Sequence, residues 1–75
     1  MVNNVKSAKR SLKNFGYNLW KLRTDKGLTH EDLSDLIGTS TRIIYDYESG
    51  KKHPSTETVL VIAEKLDVSL DSMFM

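Results

Sequence analysis

Residue types able to do covalent chemistry are scarce in this chain. Cysteine is absent, which removes thiolate nucleophiles, disulfides and Cys-based zinc sites together. His30 and His53 stand alone, and two isolated imidazoles do not complete a zinc site. No glycine-rich loop is spaced to cradle a phosphate, and no nucleophile has a base at a recognisable spacing. The expectation is a protein that is not an enzyme, with no metal, no cofactor and no small-molecule ligand. What remains is charge. Residues 1–26 hold seven Lys or Arg (Lys6, Lys9, Arg10, Lys13, Lys21, Arg23 and Lys26) against Asp25 alone, a balance of +6. Residues 27–75 hold four, Arg42, Lys51, Lys52 and Lys65, against nine acids, a balance of −5. The total of +1 conceals a polar molecule, and a basic end implies an anionic partner.

Those charges need elements to position them, and 75 residues provide one small domain with one modest core. With 39% apolar and 28% charged residues the chain has the composition of an ordered globular protein. Its longest apolar run, Val59 to Ala63, is too short for a membrane span, and residues 1–14 lack the apolar stretch of a signal peptide. The absence of cysteine suits a reducing cytoplasm.

Apolar spacing is helical throughout. Phe15, Leu19 and Leu22 form one face of a first helix, and Val5, Ala8 and Leu12 continue its phase backwards into a basic arm over residues 1–14, although Gly16 opposes a continuous helix. Thr29 caps a second helix with Glu31 and Asp32 in its first turn and Leu33, Leu36 and Ile37 as its buried stripe. Gly38-Thr39 makes a short turn. Ser40 then caps a third helix, with Ile44 and Tyr47 inward and Thr41, Arg42, Tyr45 and Asp46 outward. That helix stops at Ser49-Gly50, and Lys51 to Pro54 form a loop. Ser55 caps a fourth helix on Val59, Ile62, Ala63 and Leu66, and Ser69-Leu70-Asp71 opens a short fifth. Nothing alternates with period two, so the expected fold is all-α: five compact helices over residues 15–75 behind the arm.

Two short helices joined by a glycine-containing turn are a helix-turn-helix pattern, whose second helix is able to enter a DNA major groove. The stretch Leu22-Arg23-Thr24-Asp25-Lys26-Gly27-Leu28-Thr29-His30-Glu31-Asp32-Leu33 closely resembles the start of the phage Cro/cI repressor-type, or Xre-like, helix-turn-helix family. The resemblance continues through Ile37-Gly38-Thr39-Ser40, Ile44, Tyr47-Glu48-Ser49-Gly50-Lys51, Pro54-Ser55, Ile62-Ala63 and Val68-Ser69-Leu70-Asp71. It covers about Phe15 to Phe74 and implies a sequence-specific DNA-binding regulator, a repressor by analogy, acting in the cytoplasm.

The resemblance also implies roles. Base contacts would fall to Thr41, Arg42 and Tyr45, and Arg42 has the guanidinium that bonds guanine O6 and N7 in parallel. Thr41 either meets a thymine methyl or supports the helix start; Tyr45 either packs on the sugar-phosphate edge or lies on its own helix. Phosphate contacts would come from His30, Ser49, Lys51 and Lys52, helped by the N–H groups after Thr29. The family most often has glutamine where His30 stands, and a basic residue where Asp46 stands; an outward Asp46 would repel phosphate. Arg23 and Glu48 resemble the family's internal ion pair.

Tyr17 and Trp20 lie off the core stripe and are expected to be partly exposed, either as a partner surface or as a cover for the core edge. Together with Asp46 they support an alternative, a protein-interaction module on the same fold. The apolar tail Leu70, Met73, Phe74 and Met75 is expected to join two copies as a weak homodimer on palindromic double-stranded DNA.

Overall fold

The computed structural model describes the backbone of residues 4–74 and the side chains of residues 14–74. Five α-helices follow in order: α1 (Asn4–Asp25), α2 (His30–Ile37), α3 (Thr41–Ser49), α4 (Thr56–Leu66) and α5 (Leu70–Phe74). No strand occurs among the described residues, and the expected all-α, five-helix architecture is borne out. The backbone runs as one helix from Asn4 through Gly16. The side chains of the basic arm, Lys6, Lys9, Arg10 and Lys13 among them, lie outside the described residues.

Local chemistry sets the helix starts. Thr29 and Asp32 form a reciprocal capping box: the Asp32 N–H donates to the Thr29 hydroxyl at 3.0 Å, and the Thr29 N–H donates to the Asp32 carboxylate at 2.9 Å. These two bonds, the backbone one first, hold the Asp32 carboxyl below its ordinary pKa, because they favour the charged form. Ser40 and Ser55 accept from the N–H groups of Ile43 and Thr58. Between α2 and α3 the chain reverses over three residues. Gly38 makes this possible at φ 74°, a left-handed conformation in which a side chain would be strained.

Phe15, Leu19, Leu33, Ile44, Val59, Ile62, Leu66 and Met73 form the core, drawn from all five helices. Met73 corrects the expectation of an exposed tail: it is fully buried, while its neighbours Leu70 and Phe74 remain partly exposed. An unbranched thioether fills an irregular gap readily, and the Asn18 amide secures the last turn by donating to the Met73 carbonyl at 3.1 Å. Phe74 lies against Phe15 with ring centroids 5.8 Å apart. Leu36 is exposed, and Ser34 takes the buried place on α2 instead. The Ser34 hydroxyl donates to the Glu31 carbonyl and lies 3.3 Å from the Thr41 hydroxyl, which stitches α2 to the start of α3.

Gly16, which opposed a helix on propensity grounds, has a packing role. A Cβ there would stand 2.6 Å from the Glu48 carbonyl oxygen and 2.8 Å from that of Tyr47, so glycine lets α1 lie directly on the end of α3.

Candidate nucleic-acid interface

Arg23 anchors the site from below. It is buried, its Nε donates to Glu48 Oε2 at 2.7 Å and its Nη2 to Glu48 Oε1 at 3.2 Å, and its Nη1 donates to the Leu28 carbonyl at 2.7 Å. This paired fork ties α1 to α3 and to the turn before α2. Removing one partner would strand a buried charge, at a cost of about 3–5 kcal/mol. The pair is therefore architecture that fixes the angle at which α3 is presented.

His30, the first residue of α2, is drawn into the same cluster. Its Nε2 lies 3.0 Å from Glu48 Oε1 and 3.1 Å from Arg23 Nη2. Its ring is stacked on Tyr45, with centroids 3.9 Å apart and planes 17° from parallel. Nothing in the sequence pattern pointed to this stack, because the two residues lie on different helices.

The outer face of α3 carries the candidate base-reading groups unequally. The Arg42 side chain is 73% exposed, with its Nε 3.4 Å from the Asp46 carboxylate one turn on. Tyr45 is 52% exposed. Thr41 is half-buried, and its hydroxyl lies 3.3 Å from that of Ser34 on α2.

Asp46 departs from the expectation of an outward acid: it is only 6% exposed. The chain after α3 turns back at this point, since the N–H groups of Lys51 and Lys52 both donate to the Asp46 carbonyl, at 2.9 and 3.2 Å. Gly50 turns the chain at φ 82° to allow this. A buried carboxylate does not confront phosphate; this one holds one edge of the Arg42 guanidinium. Ser49, Lys51 and Lys52 are exposed beside it, with the Ser49 hydroxyl donating to the Asp46 carbonyl at 3.2 Å. Among the described residues no cluster of three or more His, Asp or Glu could hold a metal ion.

The helix-turn-helix family HTH_3 matches this chain over residues 21–73, the span that contains α2, α3 and the ion pair beneath them. The chain belongs to this family, the Xre/Cro-cI-like group that its motifs resemble. Among its relatives is the uncharacterized HTH-type transcriptional regulator YqaE of Bacillus subtilis (strain 168), 39% identical over 57 residues, covering 76% of this chain and 49% of YqaE. The HTH-type transcriptional activator BcrR of Enterococcus faecalis is 36% identical over 59 residues, covering 79% of this chain and 29% of BcrR. The chain thus spans half or less of the length of these two relatives. Among solved structures, the restriction-modification controller protein C.AhdI from Aeromonas hydrophila superposes with a TM-score of 0.79 at 35% identity. That superposition covers 84% of this chain and 96% of C.AhdI. Among the described residues no helix is long and apolar enough to cross a membrane.

Proposed function

We propose that this chain is a DNA-binding transcriptional regulator that inserts α3 into the major groove. The observation that carries the reading is the outer face of α3. Arg42 projects into solvent with its Nε 3.4 Å from the Asp46 carboxylate, and its guanidinium has the paired donors that guanine O6 and N7 accept. Tyr45 and Thr41 complete the base-contacting set. The N-terminus of α2 with His30, together with Ser49, Lys51 and Lys52, contacts phosphates on either side. The relatives are named as transcriptional regulators, and this chain is read as a binding protein of the cytoplasm and not a catalyst. One of them is named an activator, so repression is the reading that the Cro/cI resemblance favours, not one the relatives share.

A palindromic site read by two copies follows from the few base contacts that one short helix supplies. The partly exposed Leu60, Leu70 and Phe74 surround an apolar groove floored by Phe15 and Val59, and this surface replaces the buried Met73 as the seat of a weak homodimer. Residues 1–14 add a basic arm that strengthens contact with the backbone.

Selection of binding sites from random duplexes tests the reading. Enrichment of a palindrome with guanine at a fixed position in each half-site is expected, and recovery of no preferred sequence would refute base reading by α3. One observation favours a second reading, a surface for another protein. Tyr17 and Trp20 are 60% and 46% exposed and pack on each other at 5.7 Å on the outer side of α1.

A further inference from the structure

We propose that His30 is a proton-linked positioning residue: it holds Tyr45 for DNA, and its protonation couples DNA affinity to pH. The inference rests on the DNA-binding reading and adds a regulation to the same site. Its basis is a conflict at one atom. Nε2 of His30 is within bonding distance of a donor, Arg23 Nη2 at 3.1 Å, and of an acceptor, Glu48 Oε1 at 3.0 Å. A single ring nitrogen serves one of them at a time. With its lone pair outward it accepts from Arg23; with a proton it donates to Glu48. The protonated ring has only the second option, and it gains a favourable cation–π contact with the Tyr45 face stacked on it.

The charges around the imidazole come from three elements. Arg23 faces it from α1, and Glu48 and Tyr45 face it from α3. On α2 itself Glu31 and Asp32 follow it, with Asp32 committed to the Thr29 cap. Arg23 and Glu48 cancel, so a proton on His30 leaves the cluster with one net positive charge. That charge sits at the N-terminus of α2, where the backbone N–H groups already suit an anion. Phosphate arriving there adds negative charge, so the complex binds more protons than the free protein does. By linkage, affinity then rises as pH falls and the ring takes up its proton. The stack passes the same event to the reading helix, because the ring that changes charge is the one against which Tyr45 rests.

The experiment measures affinity for mixed-sequence duplex DNA between about pH 8 and pH 5.5, with NMR of the tyrosine rings in the free protein alongside. The unmodified chain is expected to bind more tightly at lower pH, by at most about tenfold per pH unit for one proton per protomer. His30→Gln, which keeps an amide able to bond Glu48 but carries no proton-dependent charge, is expected to lose the slope. His53→Gln, removing the other histidine, and Tyr45→Phe, keeping a ring in the stack, are expected to retain the slope. In the free protein the Tyr45 ring signals are expected to move across this pH span, because the ring stacks on His30, while those of Tyr17 are not. A slope that survives His30→Gln, a slope that disappears in His53→Gln, or Tyr45 signals indifferent to pH would each overturn the proposal. Absence of duplex binding at every pH would overturn the DNA-binding reading, and with it the DNA step proposed here, while the Tyr45 titration still decides the contact.

Discussion

At the scale of single residues, a few side chains have one defensible role each. Arg42 is exposed and oriented by a buried acid, so Arg42→Ala should lose about 1–3 kcal/mol at one base position in each half-site and relax preference there. Binding measured across single-base variants of a selected site checks this; an equal loss on every sequence would make Arg42 a phosphate contact. Asp32 gives a prediction in pH. Its folded pKa lies below the unfolded one, so its contribution to stability is present in full above the ordinary carboxylate range and is lost as pH falls through the folded value. Unfolding midpoints measured from neutral into acid should show Asp32→Asn less stable than the parent near neutrality, with the gap closing below the ordinary carboxylate range. A gap that stays constant into strong acid would show that the cap does not depend on this charge.

At the scale of elements, the meeting of α1 with α3 depends on Gly16. Alanine there gains up to about 1 kcal/mol in helix propensity, but its Cβ would meet two backbone carbonyls at 2.6 and 2.8 Å, which only backbone movement relieves. Overpacking of this kind costs about 1–3 kcal/mol, so Gly16→Ala should be net destabilising, and thermal melting reads the difference. A raised melting temperature would mean that the helices separate freely. Gly16 also marks what was legible in sequence. The caps Thr29, Ser40 and Ser55 and the turns at Gly38 and Gly50 could be read because each acts on its own backbone within three or four residues. The contrary places are tertiary. Asp46 is buried where the chain turns back after α3, and Met73 where α5 packs against α1 and α4. Leu36 is left exposed although it lies on the apolar stripe of α2, and α4 is capped by Asp67 at φ 57°, where no glycine announced a stop. At the interface, the sequence indicated Arg42 and Lys51-Lys52 through their type and position. It was silent on the His30–Tyr45 stack, which exists only once α2 and α3 are crossed.

At the scale of the whole molecule, the account needs two copies on DNA and a surface that joins them. Leu70→Asp with Phe74→Asp should leave the fold intact, since both side chains are already partly in water, and should weaken self-association in sedimentation. Unchanged association would move the interface to Tyr17 and Trp20. Met73→Asp does not serve as a test, because a charge in the core would unfold the domain. The uneven charge of the chain, +6 over residues 1–26 and −5 beyond, then has a simple meaning. The basic part is proposed to face the phosphates, and of the acids after α1, Asp32 serves the Thr29 cap, Glu48 the Arg23 pair and Asp46 the support of Arg42.

Binding of DNA by this surface is tested most directly by the salt dependence of affinity for mixed-sequence duplex. Neutralised phosphates release counterions, so log affinity should fall linearly with log salt at a slope of roughly −0.9 per contact. Replacing Lys51 and Lys52 together with alanine should flatten that slope by close to two contacts. Affinity that does not change with salt, or a slope that both lysines leave untouched, would contradict the account.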